Sequence, residues 1–194
     1  IIDIDEISLK GNHNLENALF IIGTGKILNI PNEVIAQFLK TTKALEHRLE
    51  NFFLKKNTLF VNDSKGTNVE STIKAIEAFK NKIILIAGGE NKKICNDELI
   101  KKINERVGFV YLIGETGAIL AEEMEKIGYK KYKNLGTLEK VLVDIKENLD
   151  FEDSQTILFS PATASFDQFK NFEERGKIFK ELTNKILREN QIER

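Results

Sequence analysis

The sequence predicts an α/β protein built on a mostly parallel β-sheet that carries helices on both faces. Short apolar runs recur from residue 58 onward, and each has the length of a strand that is buried on both sides. Apolar residues at helical spacing fill the stretches between these runs. Such alternation of strand and helix is typical of a parallel sheet. Two further helical patterns come before the first strand, so a short helical segment should precede the sheet.

The helical segment covers about the first forty residues. Apolar side chains recur at helical spacing over residues 14–28, and Pro31 is suited to the first turn of a second helix that continues to about Leu39. Between Thr42 and Leu54 the pattern lapses. We interpret these residues as a connection that leads into a strand.

Strands and helices then alternate to the end of the chain. The four clearest strands cover residues 58–61, 83–87, 109–113 and 156–159, and a weaker strand lies around 129–135. A helix is predicted after each of these strands. The last helix is expected to run from about Asp167 to Leu187.

Composition excludes several classes of function. The chain has 194 residues, enough for one domain or for one domain with an appendage, and 29 basic against 30 acidic residues give a formal charge of -1. That balance offers no electrostatic basis for binding nucleic acid or an anionic membrane. No apolar run approaches the roughly 20 residues that span a bilayer. The single cysteine, Cys95, rules out an internal disulfide and fits a reducing cytoplasm.

Polar residues gather in the loops that follow the predicted strands. These loops are NDSKGTN (62–68), GGENKK (88–93), GETG (114–117) and SPATASFDQFKNFEERG (160–176). Ligands of such sheets bind outside the carboxyl ends of the strands, where these loops meet. Lys65, Lys92 and an expected helix N-terminus at residues 165–167 combine positive charge with free N–H groups. They favour a small carboxylate or phosphate as the ligand.

Simpler interpretations stay open for several of these groups. Residues 63–68 could have no role beyond capping the next helix, with Asn68 or Thr67 as the N-cap. The lysines of GGENKK could be solvated side chains of an ordinary turn. The charged residues of the last helix are expected to form a solvated face: Glu173, Glu174, Arg175 and Lys177.

Other reactive side chains do not indicate a site. His13 and His47 are the two histidines of the sequence, and each is interpreted as structural rather than as a metal ligand. Cys95 has no neighbouring base and is interpreted as incidental. GTGK at residues 23–26 is similar to the end of a P-loop, but the leading Gly is missing and Ile27 replaces the hydroxyl residue.

Five stretches of the chain resemble the Mur ligase family of cell-wall enzymes. They are GNHNLENAL (11–19), HRLE (47–50), NDSKGTN (62–68), GGENK (88–92) and SPATASFDQFKNFEERG (160–176). Their order and approximate spacing agree with the family over nearly the whole chain. NDSKGTN and the long last stretch are most similar to the members that add D-glutamate.

The resemblance implies two parts of a three-domain ligase. Residues 1–43 would be the end of the central ATPase domain, and residues 44–194 the Rossmann-like C-terminal domain that holds the incoming amino acid. The chain begins with Ile1 rather than methionine, and its acidic opening is not a signal peptide. We therefore expect a fragment that lacks the family's P-loop, Mg²⁺-binding glutamate and carbamylated lysine and that is inactive alone.

For the full-length enzyme, the resemblance implies amide formation driven by ATP and Mg²⁺ in peptidoglycan precursor synthesis. The carboxylate of UDP-N-acetylmuramoyl-L-alanine would attack the γ-phosphoryl group to give an acyl phosphate, and the amine of D-glutamate would displace phosphate. Such chemistry depends on positioning and on neutralising phosphoryl charge rather than on a protein nucleophile. The implied enzyme is a monomer of the bacterial cytoplasm that binds neither nucleic acid nor membrane.

Matching the motifs one by one places the family's ligand contacts on residues of this chain. The implied nucleotide contacts are Asn14, Asn17, Arg48, Asp63 and Lys65. Lys65 would lie near the phosphates or near the second carboxylate of D-glutamate, and both positions stay open. The implied D-glutamate contacts are Thr67, Lys92, Ser165, Phe166 through its backbone, and Phe172. No catalytic residue and no metal ligand is assigned in this chain.

These implied contacts have different roles. The planar fork of Arg48 can bind two phosphate oxygens at once. Asp63 would accept from ribose hydroxyls or place a metal-bound water, and both roles stay open. Lys92 and Thr67 would fix one carboxylate of D-glutamate, and the expected helix start at Ser165 would fix the other.

Two residues depart from the family pattern. Gly66 and Thr163 stand where alanine and cysteine or a similar small residue are expected. Neither departure is expected to disturb a contact made by its neighbours. Two alternative functions stay open, another amino-acid ligase of the same family and a non-catalytic Rossmann-like binding module.

Overall fold

Two units make up the chain, and each is described by itself. The structure, a computed structural model, describes residues 1–9, 12–42, 45–91 and 96–188, without the side chains of residues 12 and 13. Internal contacts divide the chain into Ile1–Leu45 and Glu46–Arg194. The division falls close to the predicted boundary between residues 43 and 44, whereas the assignment of the two parts to domains of a ligase stays a prediction.

The first unit is helical. A short 3₁₀ helix, Ile4–Glu6, precedes α1 (Asn12–Ile27) and α2 (Asn32–Thr41). Its small core consists of Ile7, Ala18, Ile35 and Leu39. Several large apolar side chains of α1, α2 and the turn between them are exposed: Leu19, Phe20, Ile27, Leu28, Val34 and Phe38.

The second unit contains a six-stranded sheet with the strand order β1-β2-β6-β3-β4-β5. The strands are Glu50–Lys55 (β1), Thr58–Asn62 (β2), Lys82–Gly88 (β3), Val107–Ile113 (β4), Tyr132–Gly136 (β5) and Gln155–Phe159 (β6). β1 pairs antiparallel with β2, and the other neighbouring pairs are parallel. The predicted mostly parallel sheet is confirmed.

Strand β1 corrects the prediction that residues 42–54 form a connection. Its register against β2 shifts between Asn51 and Phe53, which marks a β-bulge. Both Phe52 and Phe53 consequently pack against the same apolar core, although they are neighbours in the sequence. Because a bulge interrupts the alternation of a strand, the hydrophobic pattern gave no period-2 signal here.

Helices cover both faces of the sheet, as predicted. One face carries α3 (Val69–Glu77), α4 (Asp97–Arg106) and α5 (Thr116–Lys126), and the other carries α6 (Leu138–Asn148) and α7 (Phe172–Leu187). Successive residues of β3 alternate between the two cores, with Leu85 in one and Ile84 and Ile86 in the other. Both sides of this strand are buried, which explains its continuous apolar sequence. None of the helices in the described ranges has the length and hydropathy that crossing a bilayer requires.

Helix α7 begins later than predicted. Its first residue is Phe172, and the side chain of Asn171 caps it by accepting a hydrogen bond from the Glu174 N–H at 2.8 Å. Residues before the cap form turns, in which the Phe169 N–H donates to the Ser165 carbonyl at 2.9 Å. Because asparagine is a favoured N-cap residue, its side chain fixes the start of the helix here. The helix N-terminus predicted at residues 165–167 is therefore wrong.

Candidate functional site

The loops after β2, β6 and β3 lie together at one edge of the sheet, because β6 lies between β2 and β3. Backbone hydrogen bonds join them directly. The Ala162 N–H donates to the Gly66 carbonyl at 2.9 Å, and the Gly88 N–H donates to the Pro161 carbonyl at 2.8 Å. A third bond runs from the Glu90 N–H to the Ala164 carbonyl at 3.0 Å. The predicted meeting of these three loops is confirmed.

Arg48 is exposed in a short loop, and the residues on either side of it are held in place by hydrogen bonds. His47 and Leu49 have φ angles of 65° and 46°, a left-handed conformation that is uncommon for residues with a side chain. The Lys65 N–H donates to the His47 carbonyl at 3.0 Å, and the Leu49 N–H donates to Asp63 Oδ1 at 3.1 Å. Backbone strain of this kind clusters at ligand sites, where the surrounding structure holds it. The two hydrogen bonds therefore hold the Arg48 loop in one backbone conformation.

His47 is a buried structural residue. The Asn62 side-chain amide lies 2.9 Å from His47 Nδ1 and donates to it, so the ring proton of neutral His47 is on Nε2. The ring also meets Phe172 edge to face, with the centroids 6.4 Å apart. This arrangement agrees with the structural interpretation of His47 made from the sequence.

Glu46, His47 and Glu50 place three potential ligand atoms within 4.8 Å of one another. Lys180 already forms an ion pair with each of the two carboxylates, since its Nζ lies 2.5 Å from Glu46 Oε1 and 2.8 Å from Glu50 Oε1. Both carboxylates thus have a cationic partner within the protein. We assign no metal to this group.

Asp63 is a buried carboxylate with a partner on each oxygen. Oδ1 accepts the Leu49 N–H, and Oδ2 accepts the Ser160 hydroxyl at 2.6 Å. Burial raises the pKa of Asp63 to about 6, although the hydrogen bonds from Ser160 and Leu49 and the charge of Arg48 act in the opposite direction. Its carboxylate thus joins the Arg48 loop to the loop after β6, and about nine-tenths of it is ionised at pH 7.

Gly66 lies against this carboxylate. A Cβ at position 66 would be 2.6 Å from Asp63 Oδ2 and 2.7 Å from Ser160 Oγ, far inside contact distance. The alanine expected from the family pattern therefore does not fit this arrangement. The glycine is required by the bond between Asp63 and Ser160 rather than being a neutral departure.

We expect Gly66→Ala to destabilise the protein by about 1–3 kcal/mol, the usual cost of overpacking a dense site. Urea denaturation of the 194-residue chain measures the change. In a Ser160→Ala background, Gly66→Ala should cost less stability than it does in the wild type, because one of the two atoms close to the new Cβ is gone. An unchanged stability of the single variant would contradict the close packing.

Arg175 corrects a prediction that was based on its charge. It was expected on a solvated helical face, but it is fully buried, with 0% of its surface exposed. Nε donates to Ser64 Oγ at 3.0 Å, Nη2 to the Ser64 carbonyl at 2.8 Å and Nη1 to the Thr163 carbonyl at 3.0 Å. Burial lowers its pKa to about 10, so the group stays charged at neutral pH. A signal was available, since Arg175 is four residues before buried Phe179 and thus on the same helical face.

The remaining predicted contacts differ in their exposure. Ser165 is buried, Phe166 is 63% exposed, and Thr67 and Phe172 are half-buried. Lys65 is exposed. Ser165 lies in a turn and not at a helix start. A helix N-terminus therefore does not contribute to the contact predicted between Ser165 and a carboxylate of D-glutamate.

Three of the predicted residues lie outside the described part of the second unit. Asn14 and Asn17 lie on α1 in the first unit, Asn14 half-buried and Asn17 exposed. Lys92 lies outside the residues that the structure describes, as does Cys95. The structure therefore brings together Arg48, Asp63 and the segments that carry the contacts predicted for D-glutamate, except that of Lys92.

Comparison with known families identifies the second unit. Residues 47–163 match the family described as "Mur ligase, glutamate ligase domain". The chain belongs to the Mur ligase family. The matched residues include the Arg48 loop, Asp63 and the loop after β3, and they end at Thr163 in the loop after β6.

Curated relatives of this Mur ligase chain share its sequence closely. A UDP-N-acetylmuramoylalanine–D-glutamate ligase of Fusobacterium nucleatum is 46% identical over 189 residues, which are 96% of this chain and 44% of the relative. The chain thus spans less than half the length of the curated relatives that it matches.

Solved structures of other Mur ligases have the same fold. MurF from Acinetobacter baumannii aligns with a TM-score of 0.66 at 17% identity, covering 92% of this chain and 39% of the other. MurF from Thermotoga maritima, solved in complex with ADP, aligns with a TM-score of 0.54 at 18% identity, covering 86% and 36%. At these identities the likeness extends to the fold alone.

Proposed function

We propose that the chain forms the C-terminal part of a UDP-N-acetylmuramoylalanine–D-glutamate ligase, an ATP-dependent enzyme of peptidoglycan precursor synthesis. The observation that carries the proposal is 46% identity over 96% of the chain to a ligase of that name. The relative is more than twice as long, so this chain would be only part of the ligase. Under the proposal it carries the amino-acid site and part of the nucleotide site. The enzyme would act on small molecules as a monomer in the bacterial cytoplasm.

The nucleotide side of the proposed site is assigned to Arg48, Lys65 and Asp63 of the second unit. The nucleotide contacts that the resemblance implies for Asn14 and Asn17 of the first unit stay a separate prediction. Arg48 and Lys65 are exposed cations on loops that a backbone hydrogen bond joins, and they suit the phosphates of a nucleotide. The anchored neighbours of Arg48 limit the entropy that the loop would lose on binding. These features support partial nucleotide binding by this chain.

Mg²⁺ fits these residues less well. Asp63 is the carboxylate next to Arg48, but it is buried, both of its oxygens have partners, and its pKa is raised to about 6. A hard cation prefers ionised, accessible oxygen ligands. We therefore assign no direct Mg²⁺ ligand here, and the ligands of the ion belong to the remainder of the ligase.

The amino-acid side of the proposed site lies on the loops after β2, β3 and β6. Thr67 and Lys92 would hold one carboxylate of D-glutamate, and Ser165 with the Phe166 backbone would hold the other. Phe172 would cover the aliphatic part of the ligand. ATP, when bound, supplies the activation of the substrate carboxylate. The residues of this chain hold the amine of D-glutamate in position for attack and need no nucleophile of their own.

The full-length protein is expected to release phosphate from ATP only when UDP-N-acetylmuramoyl-L-alanine and D-glutamate are both present. The assay compares D-glutamate, L-glutamate and a diamino acid at equal concentration. Turnover with L-glutamate or the diamino acid in place of D-glutamate would assign the chain to another ligase of the family. The 194-residue chain alone serves as the negative control, and ligase activity from it would contradict the partial site.

A further inference from the structure

The charge of Arg175 is buried without an ion-pair partner among the described residues. Its hydrogen bonds go to two carbonyls and a hydroxyl, and Asp167 acts on it electrostatically from beyond ion-pair distance. Burying an arginine without a paired carboxylate costs stability. A hydrophobic residue would fill the position without that cost, so the bonds themselves require an explanation.

Each of those bonds ends on a segment that carries a proposed contact to D-glutamate. Ser64 is three residues before Thr67, and Thr163 is two residues before Ser165. The Ser64 hydroxyl accepts from Arg175 and donates to the Phe172 carbonyl at 2.8 Å. One guanidinium therefore fixes the backbone beside Thr67, Ser165 and Phe172.

The loop after β3 packs on the same group. A Cβ at Gly89 would lie 3.2 Å from Arg175 Nη1, so this backbone passes directly over the guanidinium. Gly89 is three residues before Lys92. The segment that carries Lys92, the fourth with a proposed amino-acid contact, thus also packs against Arg175 at Gly89.

The nucleotide side is held by different bonds. Leu49 donates to Asp63, Lys65 donates to the His47 carbonyl, and Ser160 donates to Asp63. Arg175 takes part in none of these three bonds. Ser64 lies between Asp63 and Lys65, so Arg175 reaches the nucleotide side through one segment, whereas it reaches the amino-acid side through the segments of Thr67, Ser165 and Phe172. Loss of its guanidinium should therefore affect the amino-acid side more.

We propose that Arg175 is a positioning residue for the amino-acid site, one that sets the geometry of its loops without touching the ligand. The inference rests on the proposed function, because that assignment makes Thr67, Ser165 and Phe172 amino-acid contacts. A planar fork with donors in three directions is needed to reach both carbonyls and the hydroxyl. Lysine keeps the charge but cannot reproduce this geometry.

The test is made in the full-length ligase with Arg175→Lys and Arg175→Met, by measuring kcat and the KM for D-glutamate and for ATP. We expect the KM for D-glutamate to rise about tenfold or more, as the loss of charge-assisted bonds implies, while the KM for ATP stays within about twofold. Lys177→Met, an exposed position two residues along α7, is the matched control and should change neither constant.

Ser64→Ala decides the matter if the Arg175 variants do not fold. It removes the hydroxyl between Arg175 and the Phe172 carbonyl and leaves the bond to the Ser64 carbonyl in place. A selective rise in the KM for D-glutamate of about threefold or more supports the proposal. Equal changes in both KM values, or a fall in kcat and melting temperature alone, overturn it.

Failure of the proposed function has a separate signature. If the unaltered ligase does not use D-glutamate, that assignment is wrong whatever the variants do. The same ratio of KM values is then measured with the amino acid that the enzyme accepts. A selective effect on that amino acid supports the positioning role, and an unselective one overturns it.

Discussion

Replacing Gly176 by alanine is expected to destabilise the protein by up to about 2 kcal/mol, although alanine is the better helix former. A Cβ at this position of α7 would lie 2.3 Å from His47 Nδ1 and 2.8 Å from Cγ of the same ring. The ring cannot turn away freely, since Nδ1 accepts from Asn62 and both neighbours of Arg48 are held by backbone bonds. Overpacking of about 1–3 kcal/mol would outweigh the ~1 kcal/mol that alanine gains in a helix. Displacement of His47 would also move Arg48, so nucleotide affinity should fall as well.

Chemical denaturation of the 194-residue chain measures the stability change. Gly23→Ala, in α1 and with no atom within 4 Å of the new Cβ, is the control and should raise the stability of its unit by about 0.5–1 kcal/mol. In a His47→Ala background, Gly176→Ala should cost much less, because the ring that it meets is gone. A loss that is undiminished in that background would place the cause elsewhere in α7.

The sheet and its helices could be predicted because their signals are local. Strands such as β3 are apolar on both sides, and their residues Ile83–Ala87 contain no polar side chain. Such runs are distinguished from loops by composition alone. The grouping of loops at one edge followed from the parallel order and required no side-chain detail.

The failures share a different cause. β1 was missed because its bulge hides the alternation, and α7 was started too early because Asn171, rather than the residues before it, provides the cap. Arg175 was assigned to solvent by its charge, whereas its three bonds come from segments more than ten residues away. Composition carries no information about partners that only the fold brings together.

The pairing of Asp63 with Ser160 is a further contact that no sequence pattern contained, since the two residues are 97 positions apart. The sequence placed Asp63 in a polar loop, and the resemblance gave it a ligand contact. Neither indicated that its carboxylate is buried. That burial makes the residue titrate in an unusual range, with a measurable consequence.

We expect Asp63→Asn to raise the stability of the chain at pH 7.5 by up to about 3 kcal/mol, from about two units of pKa at ~1.4 kcal/mol each. The pKa of Asp63 is raised from 3.8 in the unfolded chain to about 6 in the folded one, chiefly by burial. A raised pKa means that its stabilising contribution is complete below pH 3.8 and is lost as the pH rises through about 6. Asparagine stays neutral, can accept from Leu49 and can donate to Ser160. The difference between variant and wild type should therefore grow from pH 4 to pH 7 and then level off.

Asp144→Asn is the control with the opposite expected pH dependence, because the pKa of Asp144 is lowered rather than raised. Burial raises the pKa of Asp144, but hydrogen bonds from Lys133, Tyr111 and Asn148 together outweigh it, so the net shift is downward. This variant should lose stability at neutral pH and lose less as the pH falls. Denaturation of both variants between pH 4 and pH 8 gives the two curves. Parallel curves for Asp63→Asn and wild type would show that Asp63 titrates normally.

The activity of Asp63→Asn in the full-length ligase then tests why the carboxylate of Asp63 is kept at a position where its charge costs stability. If Asp63 contacts the nucleotide, Asp63→Asn should raise the KM for ATP at the same pH at which it stabilises the fold, since the amide has one acceptor oxygen where the carboxylate has two. If Asp63 only joins two loops, the variant should be more stable and equally active. Gain of stability with loss of activity is the usual mark of a residue retained for function. The two measurements together separate a ligand contact from a structural bond at the position where the resemblance alone left both open.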